Sequence, residues 1–179
     1  MRSRGEAIVR ASPLLIVLAG IGCGTSTSSP THEQTIVLNW HEAPGRPGAR
    51  LIVDVRRLLV HPNGWSVEAR VENDAGAPLE IGRPHHPGKT EFGVLVLKTA
   101  RASEIAHLGP GVLATRFMPE LPRVLRPGAA WSGTFSGRGR LAGAHYVRIV
   151  FGRFRIFGMP PRGLPSRFRY ITDHAYRLP

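Results

Sequence analysis

Trp65-Ser66-Val67-Glu68-Ala69-Arg70-Val71-Glu72 alternates apolar and polar residues with a period of two. A helix would scatter the apolar set around its circumference, whereas a strand places Trp65, Val67, Ala69 and Val71 on one face against a core and turns the charged residues to water. Upstream, Leu51-Ile52-Val53-Asp54-Val55 continues towards Leu58-Leu59-Val60, and His61-Pro62-Asn63-Gly64 carries the residues that reverse a chain, so a hairpin is expected there. Downstream, the turn signal Asn73-Asp74-Ala75-Gly76 precedes a short strand over Pro78-Leu79-Glu80-Ile81, and Phe92-Gly93-Val94-Leu95-Val96-Leu97 reads as a buried strand. Trp131 to Phe135 follows the turn pair Pro127-Gly128, Tyr146 to Phe151 follows the glycine-bearing connection Gly137 to Gly143, and Phe168 to Thr172 is placed to close the sheet. Ser132, Thr134 and Ser136 belong on the solvent side of their strand. A short peripheral helix is expected over Thr99 to Leu108, where Ala102, Ile105 and Leu108 recur at helical spacing before Gly109-Pro110.

Seven or eight short strands separated by turns imply an all-β chain folded as an immunoglobulin-like antiparallel β-sandwich, with a small barrel as the alternative. Residues 35–179 are long enough to form a single domain with a substantial core. The stretch Val71 to Phe151 resembles bacterial immunoglobulin-like domains, among them the intracellular proteinase inhibitor (BsuPI) family, through Val71-Glu72-Asn73 with Pro78-Leu79, Phe92-Gly93-Val94, Leu125-Arg126-Pro127-Gly128 with Trp131, and Gly143-Ala144-His145-Tyr146. Two registers are open for the late strand. Either Tyr146 forms a tyrosine corner, which turns Arg148 inward, or Val147, Ile149 and Phe151 form the buried set.

The amino-terminal segment reads as an export signal. Arg2, Arg4 and Arg10 outweigh Glu6, and an uncharged run from Ala11 to Gly22 centres on Leu14-Leu15-Ile16-Val17-Leu18, too short to span a bilayer. Leu18-Ala19-Gly20-Ile21-Gly22 before Cys23 resembles the lipobox of bacterial lipoproteins, although Gly20 stands where that family prefers Leu. The resemblance implies cleavage before Cys23 and lipidation of that cysteine; a plain signal peptide is the alternative. Cys23 is the sole cysteine, and lipidation would remove a lone thiol from an oxidising compartment. Residues 1–22 are then the signal peptide and residues 23–34 the lipidated cysteine with a Ser/Thr-rich tether, anchored by acyl chains to a cell or outer membrane and facing the periplasm or exterior.

Catalytic patterns are missing from the sequence. There is no Gly-x-Ser-x-Gly or Ser-x-x-Lys element, and Glu91, Glu104 and Glu120 have nothing to pair them across a cleft. His85-His86 stand together between prolines, a turn rather than a metal-ligand set. The glycines between Gly137 and Gly143 precede a strand, whereas a phosphate-cradling loop opens a helix. The expectation is a non-enzymatic protein without cofactor or metal.

Charge is the main surface clue. Removing the first 22 residues, with three Arg and one Glu, lowers the formal charge from +12 to +10, and 22 of the 24 basic residues of the whole chain are Arg. Residues 138–179 hold nine Arg against the single acid Asp173. Arg alternates with aromatics in Phe151-Gly152-Arg153-Phe154-Arg155-Ile156-Phe157 and in Phe168-Arg169-Tyr170, the pattern of a strand with one packed and one cationic face. Arg138, Arg140, Arg153, Arg155, Arg162, Arg167 and Arg169 are the candidate contacts for an anionic ligand, since guanidinium grips phosphate or carboxylate in two bonds. Export argues against nucleic acid and for anionic lipid, cell-wall polymer or an envelope protein. The expected function is a membrane-anchored binding or structural module. The alternatives are a proteinase inhibitor presenting a loop to an extracellular protease, as the family resemblance implies, and an envelope hydrolase assembled by folding.

Overall fold

The computed structural model describes residues 33–82, 91–100, 111–141 and 145–178, and within them the chain is all-β. The strands are β1 (Gln34–Glu42), β2 (Gly45–Arg46), β3 (Ala49–His61), β4 (Gly64–Asp74), β5 (Leu79–Ile81), β6 (Gly93–Leu97), β7 (Val112–Leu113), β8 (Arg116–Met118), β9 (Val124–Leu125), β10 (Ala130–Arg138), β11 (Tyr146–Ile156), β12 (Arg167–Ile171) and β13 (Tyr176–Arg177). Every pairing is antiparallel. The first sheet runs β1-β3-β4-β10-β8 with β2 on β3, and the second runs β7-β6-β11-β5-β9 with β12 and β13 also on β11. Packed face to face, they form the expected immunoglobulin-like sandwich. Residues 101–108 of the expected helix lie outside the described residues, as do His85-His86 and Cys23, and its first two residues, Thr99 and Ala100, are not helical.

The opening stretch behaves as its period requires. Trp65, Val67, Ala69 and Val71 are all buried on β4, and the alternate residues face outward. Pro62-Asn63 turns β3 into β4, and β3 runs unbroken through Arg56 and Arg57 by a bulge after Val55. Gly137 on β10 leaves room for Trp65: a Cβ there would lie 2.7 Å from the indole Cζ2 and 2.6 Å from the Leu113 carbonyl oxygen. Phe92 is fully buried at the centre of an edge-to-face aromatic group with Phe117, Phe135, Phe151 and Phe154. Among the described residues, the buried hydrophobic ones all fall between Leu38 and Ile156, so a chain beginning at Gly24 keeps the described core intact.

The link between the sheets is a buried amide. Asn73 sits at the end of β4 with no exposed surface; its Nδ2 donates to the carbonyl oxygens of Ala77 and Leu125, both at 2.8 Å, and its Oδ1 accepts from the Ala75 amide at 2.9 Å. These bonds steer the chain from β4 in one sheet into β5, beside β9, in the other.

On β11 the register is now fixed. Val147, Ile149 and Phe151 face the core, and Tyr146 lies half-buried on the other side, so the tyrosine-corner reading falls. Arg148 points away from the core but is itself buried, with one guanidinium nitrogen donating to the Asp173 carbonyl oxygen at 2.6 Å. Thr172 caps the same stretch, its hydroxyl accepting from the Ile149 amide at 2.9 Å. The carboxy-terminal segment therefore closes over the first half of β11 and leaves the second half, from Arg153 onward, open on its outer side.

Candidate functional site

Beyond Phe151, β11 carries Arg153 and Arg155 outward and Phe154 inward; β12 carries Arg167 and Arg169 outward around Phe168. Phe154 and Phe168 face each other across the strands with ring centroids 5.3 Å apart, which fixes the register and sets Arg155 directly opposite Arg167. A bulge between Phe151 and Phe154 brings Arg153 alongside Arg169. Gly152 permits this, because a Cβ there would fall 2.7 Å from the Cβ of Arg169 and 3.1 Å from its Cα. The result is a shallow groove of about 770 Å³ lined by four arginines, two phenylalanines, Gly82, Glu80 and Glu91.

Two carboxylates answer the four guanidinium groups. Glu91 is held by its amide, which donates to the Gly152 carbonyl oxygen at 2.9 Å, and it accepts from Arg153 at 3.0 Å and Arg169 at 3.4 Å. Glu80 on β5 pairs with Arg155 and lies 3.8 Å from Arg123. Arg167 has no acidic partner among the described residues. The groove is thus net cationic, with directional donors at its rim and apolar rings at its base, an arrangement suited to phosphate or carboxylate oxygens. No nucleophile with an adjacent base lies among its lining residues.

Of the seven arginines expected to contact an anion, the fold gathers four: Arg153, Arg155, Arg167 and Arg169. Arg138 lies instead at the end of β10 opposite Gly64 in the other sheet, Arg140 follows it in an exposed connection, and Arg162 sits in the turn between β11 and β12. Sequence proximity grouped these three with the others; the crossover between sheets separates the first two.

A second polar cluster was not legible in the sequence. Glu42 at the end of β1 meets Asp173 and His174 in the connection between β12 and β13, 131 residues away. The Asp173 amide donates to Glu42 Oε1 at 3.1 Å, and His174 Nδ1 pairs with Asp173. Burial, followed by the neighbouring Asp173 side chain, pushes the Glu42 carboxyl up to about 7, whereas the side chains of Glu42 and then His174 hold Asp173 below its usual range. Trp40 packs edge-on against His174 and Tyr176, with centroids 5.5 Å and 5.1 Å away. The donor atoms of Glu42, Asp173 and His174 lie within 4.8 Å of one another, close enough for a cation, but Asp173 and His174 are exposed. The group acts as a clasp holding the carboxy-terminal segment to the first sheet.

No protein family model matches this chain, and neither a curated protein nor a solved structure matches it.

Proposed function

We propose that the protein is a membrane-anchored envelope lipoprotein whose β-sandwich is a non-catalytic binding module, taking an anionic partner in the arginine groove of the second sheet. The observation that carries the binding site is the Arg155–Arg167 pair. Like charges set directly across adjacent strands destabilise a sheet, and here Arg153 and Arg169 stand beside them with, among the described residues, two carboxylates in reach. An oxyanion bridging the rim relieves that repulsion and supplies the acceptors that Arg167 lacks. The anchoring half rests on the charge-zoned segment before Cys23 and on that cysteine's solitude.

Titration of residues 24–179 with polyphosphate tests the groove. Saturable, salt-weakened binding is expected, lost in the double variant Arg153→Ala/Arg169→Ala and retained in Arg138→Ala/Arg140→Ala. Equal loss in the two pairs would reduce the site to unspecific charge. Turnover by the same domain on a hydrolase substrate panel would refute the non-catalytic reading. Mass spectrometry of the mature amino terminus tests the anchor: a diacylglyceryl Cys23 is expected, and a free Cys23 thiol rules it out.

A further inference from the structure

The loop that joins β11 to β12 continues the groove and differs from it in one respect: it holds exposed apolar side chains. Met159 is 91% exposed and Phe157 42%, within a stretch Phe157-Gly158-Met159-Pro160-Pro161-Arg162-Gly163-Leu164-Pro165 that contains no acid. From Arg153 to Thr172 there are five arginines and no carboxylate in the sequence. Arg155 lies over the Phe157 ring at 5.1 Å, so the cationic rim and the apolar tip are in direct contact.

Resting on the groove reading and extending it, we infer that this loop and the arginines behind it dock on an anionic lipid bilayer, with Phe157 and Met159 entering the headgroup boundary and Arg155, Arg162 and Arg167 meeting the lipid phosphates. A soluble polyanion or wall polymer would engage the arginines but offers no apolar surface to cover Met159, which is 91% exposed. A second copy of this chain would bring a second set of arginines against the first. Unlike these, a bilayer answers both features, since its interface offers phosphate oxygens above hydrocarbon. Two glycines with positive φ, Gly158 at 78° and Gly163 at 98°, shape the turns at either side of Pro160-Pro161.

The placement also sets an orientation. Gln34 pairs with Val60 beside the β3–β4 turn, whereas the Phe157 amide bonds to the Pro78 carbonyl oxygen just past the other end of β4, so chain entry and loop lie at opposite ends of the sandwich. A domain docked through both the groove and the loop lies lengthwise along the surface. The tether of residues 24–33 spans up to about 35 Å when extended, a length comparable with the strands, and so permits that pose.

Co-sedimentation of residues 24–179 with phosphatidylcholine vesicles, with and without phosphatidylglycerol, tests the docking beside a parallel titration with soluble polyphosphate. Binding to the anionic vesicles alone is expected. Phe157→Ser/Met159→Ser should weaken it by about tenfold or more while leaving polyphosphate binding unchanged, and Arg167→Ala should weaken both, the vesicles by about fivefold. Both serine positions are exposed, so the variant's unfolding midpoint should match the wild type and serve as the folding control. Vesicle binding unaffected by the serine pair, or polyphosphate binding without any vesicle binding, overturns the bilayer assignment and leaves the groove standing. Absence of both interactions overturns the two together.

Discussion

Replacing Asn73 with alanine should cost this fold more than any other single loss of a side-chain amide. The three bonds made by Asn73, two from Nδ2 and one to Oδ1, are all at 2.8–2.9 Å and the residue has no exposed surface. Each is worth a net ~1 kcal/mol, and the orphaned Ala75 amide has no water to turn to, so Asn73→Ala should lose about 2–4 kcal/mol. Asn73→Asp keeps the volume and the acceptor but turns an oxygen towards the Ala77 and Leu125 carbonyls, and should lose at least as much. Urea unfolding of residues 24–179 reads this as a fall of about 1–2 M in midpoint with the slope unchanged. A loss below about 0.5 kcal/mol for alanine, or aspartate tolerated better than alanine, would refute the claim that this amide joins the sheets.

Gly137→Ala should destabilise by about 1–3 kcal/mol and shift tryptophan emission, because a methyl group has no room between Trp65 and the Leu113 carbonyl; urea unfolding followed by fluorescence measures both. Glu42 governs the pH response of the clasp: its folded value, about 7, exceeds the ordinary 4.5, so its contribution is complete below about 4.5 and lost as pH rises through 7. Asp173 is shifted the other way, and its contribution is lost as pH falls below the carboxylate range. The wild type should therefore lose Tm relative to Glu42→Gln as pH rises from about 4.5 to above 7, and parallel Tm profiles would contradict the raised Glu42 value.

The alternating stretch from Trp65 to Glu72 was legible because every second residue obeys one rule, burial, and that rule acts locally. The same logic found the β3–β4 hairpin and the cores of β6, β10, β11 and β12. It missed β1, whose Asn39, with φ at 45°, breaks the ladder between Val37 and Trp40, and it missed the two- and three-residue strands β7, β8, β9 and β13, which exist only as partners of longer ones. Asn73 was legible as a turn residue, but its role depends on Leu125, 52 residues away. The groove divided similarly: alternation placed Arg153, Arg155 and Arg169 on a cationic face, whereas the alignment of Arg167 with Arg155 and the sharing of Glu91 needed the register across β11 and β12.

The outer face of the first sheet shows what the groove does differently. There Arg56 and Arg57 pair with Glu68, and Arg70 with Asp54 and Glu72, so three arginines meet three carboxylates and the strands gain no net charge from them. A basic surface kept only for solubility has no reason to place Arg167 opposite Arg155 with no acid of its own among the described residues. If the pair is maintained for a ligand, the free domain carries the cost, and Arg167→Glu should raise its stability by about 0.2–1 kcal/mol while removing polyphosphate binding. Added salt should stabilise the wild type more than this variant, because screening weakens the repulsion that only the wild type has. Denaturant unfolding at low and high salt measures both effects. A variant less stable than the wild type would mean that Arg167 supports the fold, and the argument from uncompensated charge to a binding site would fail.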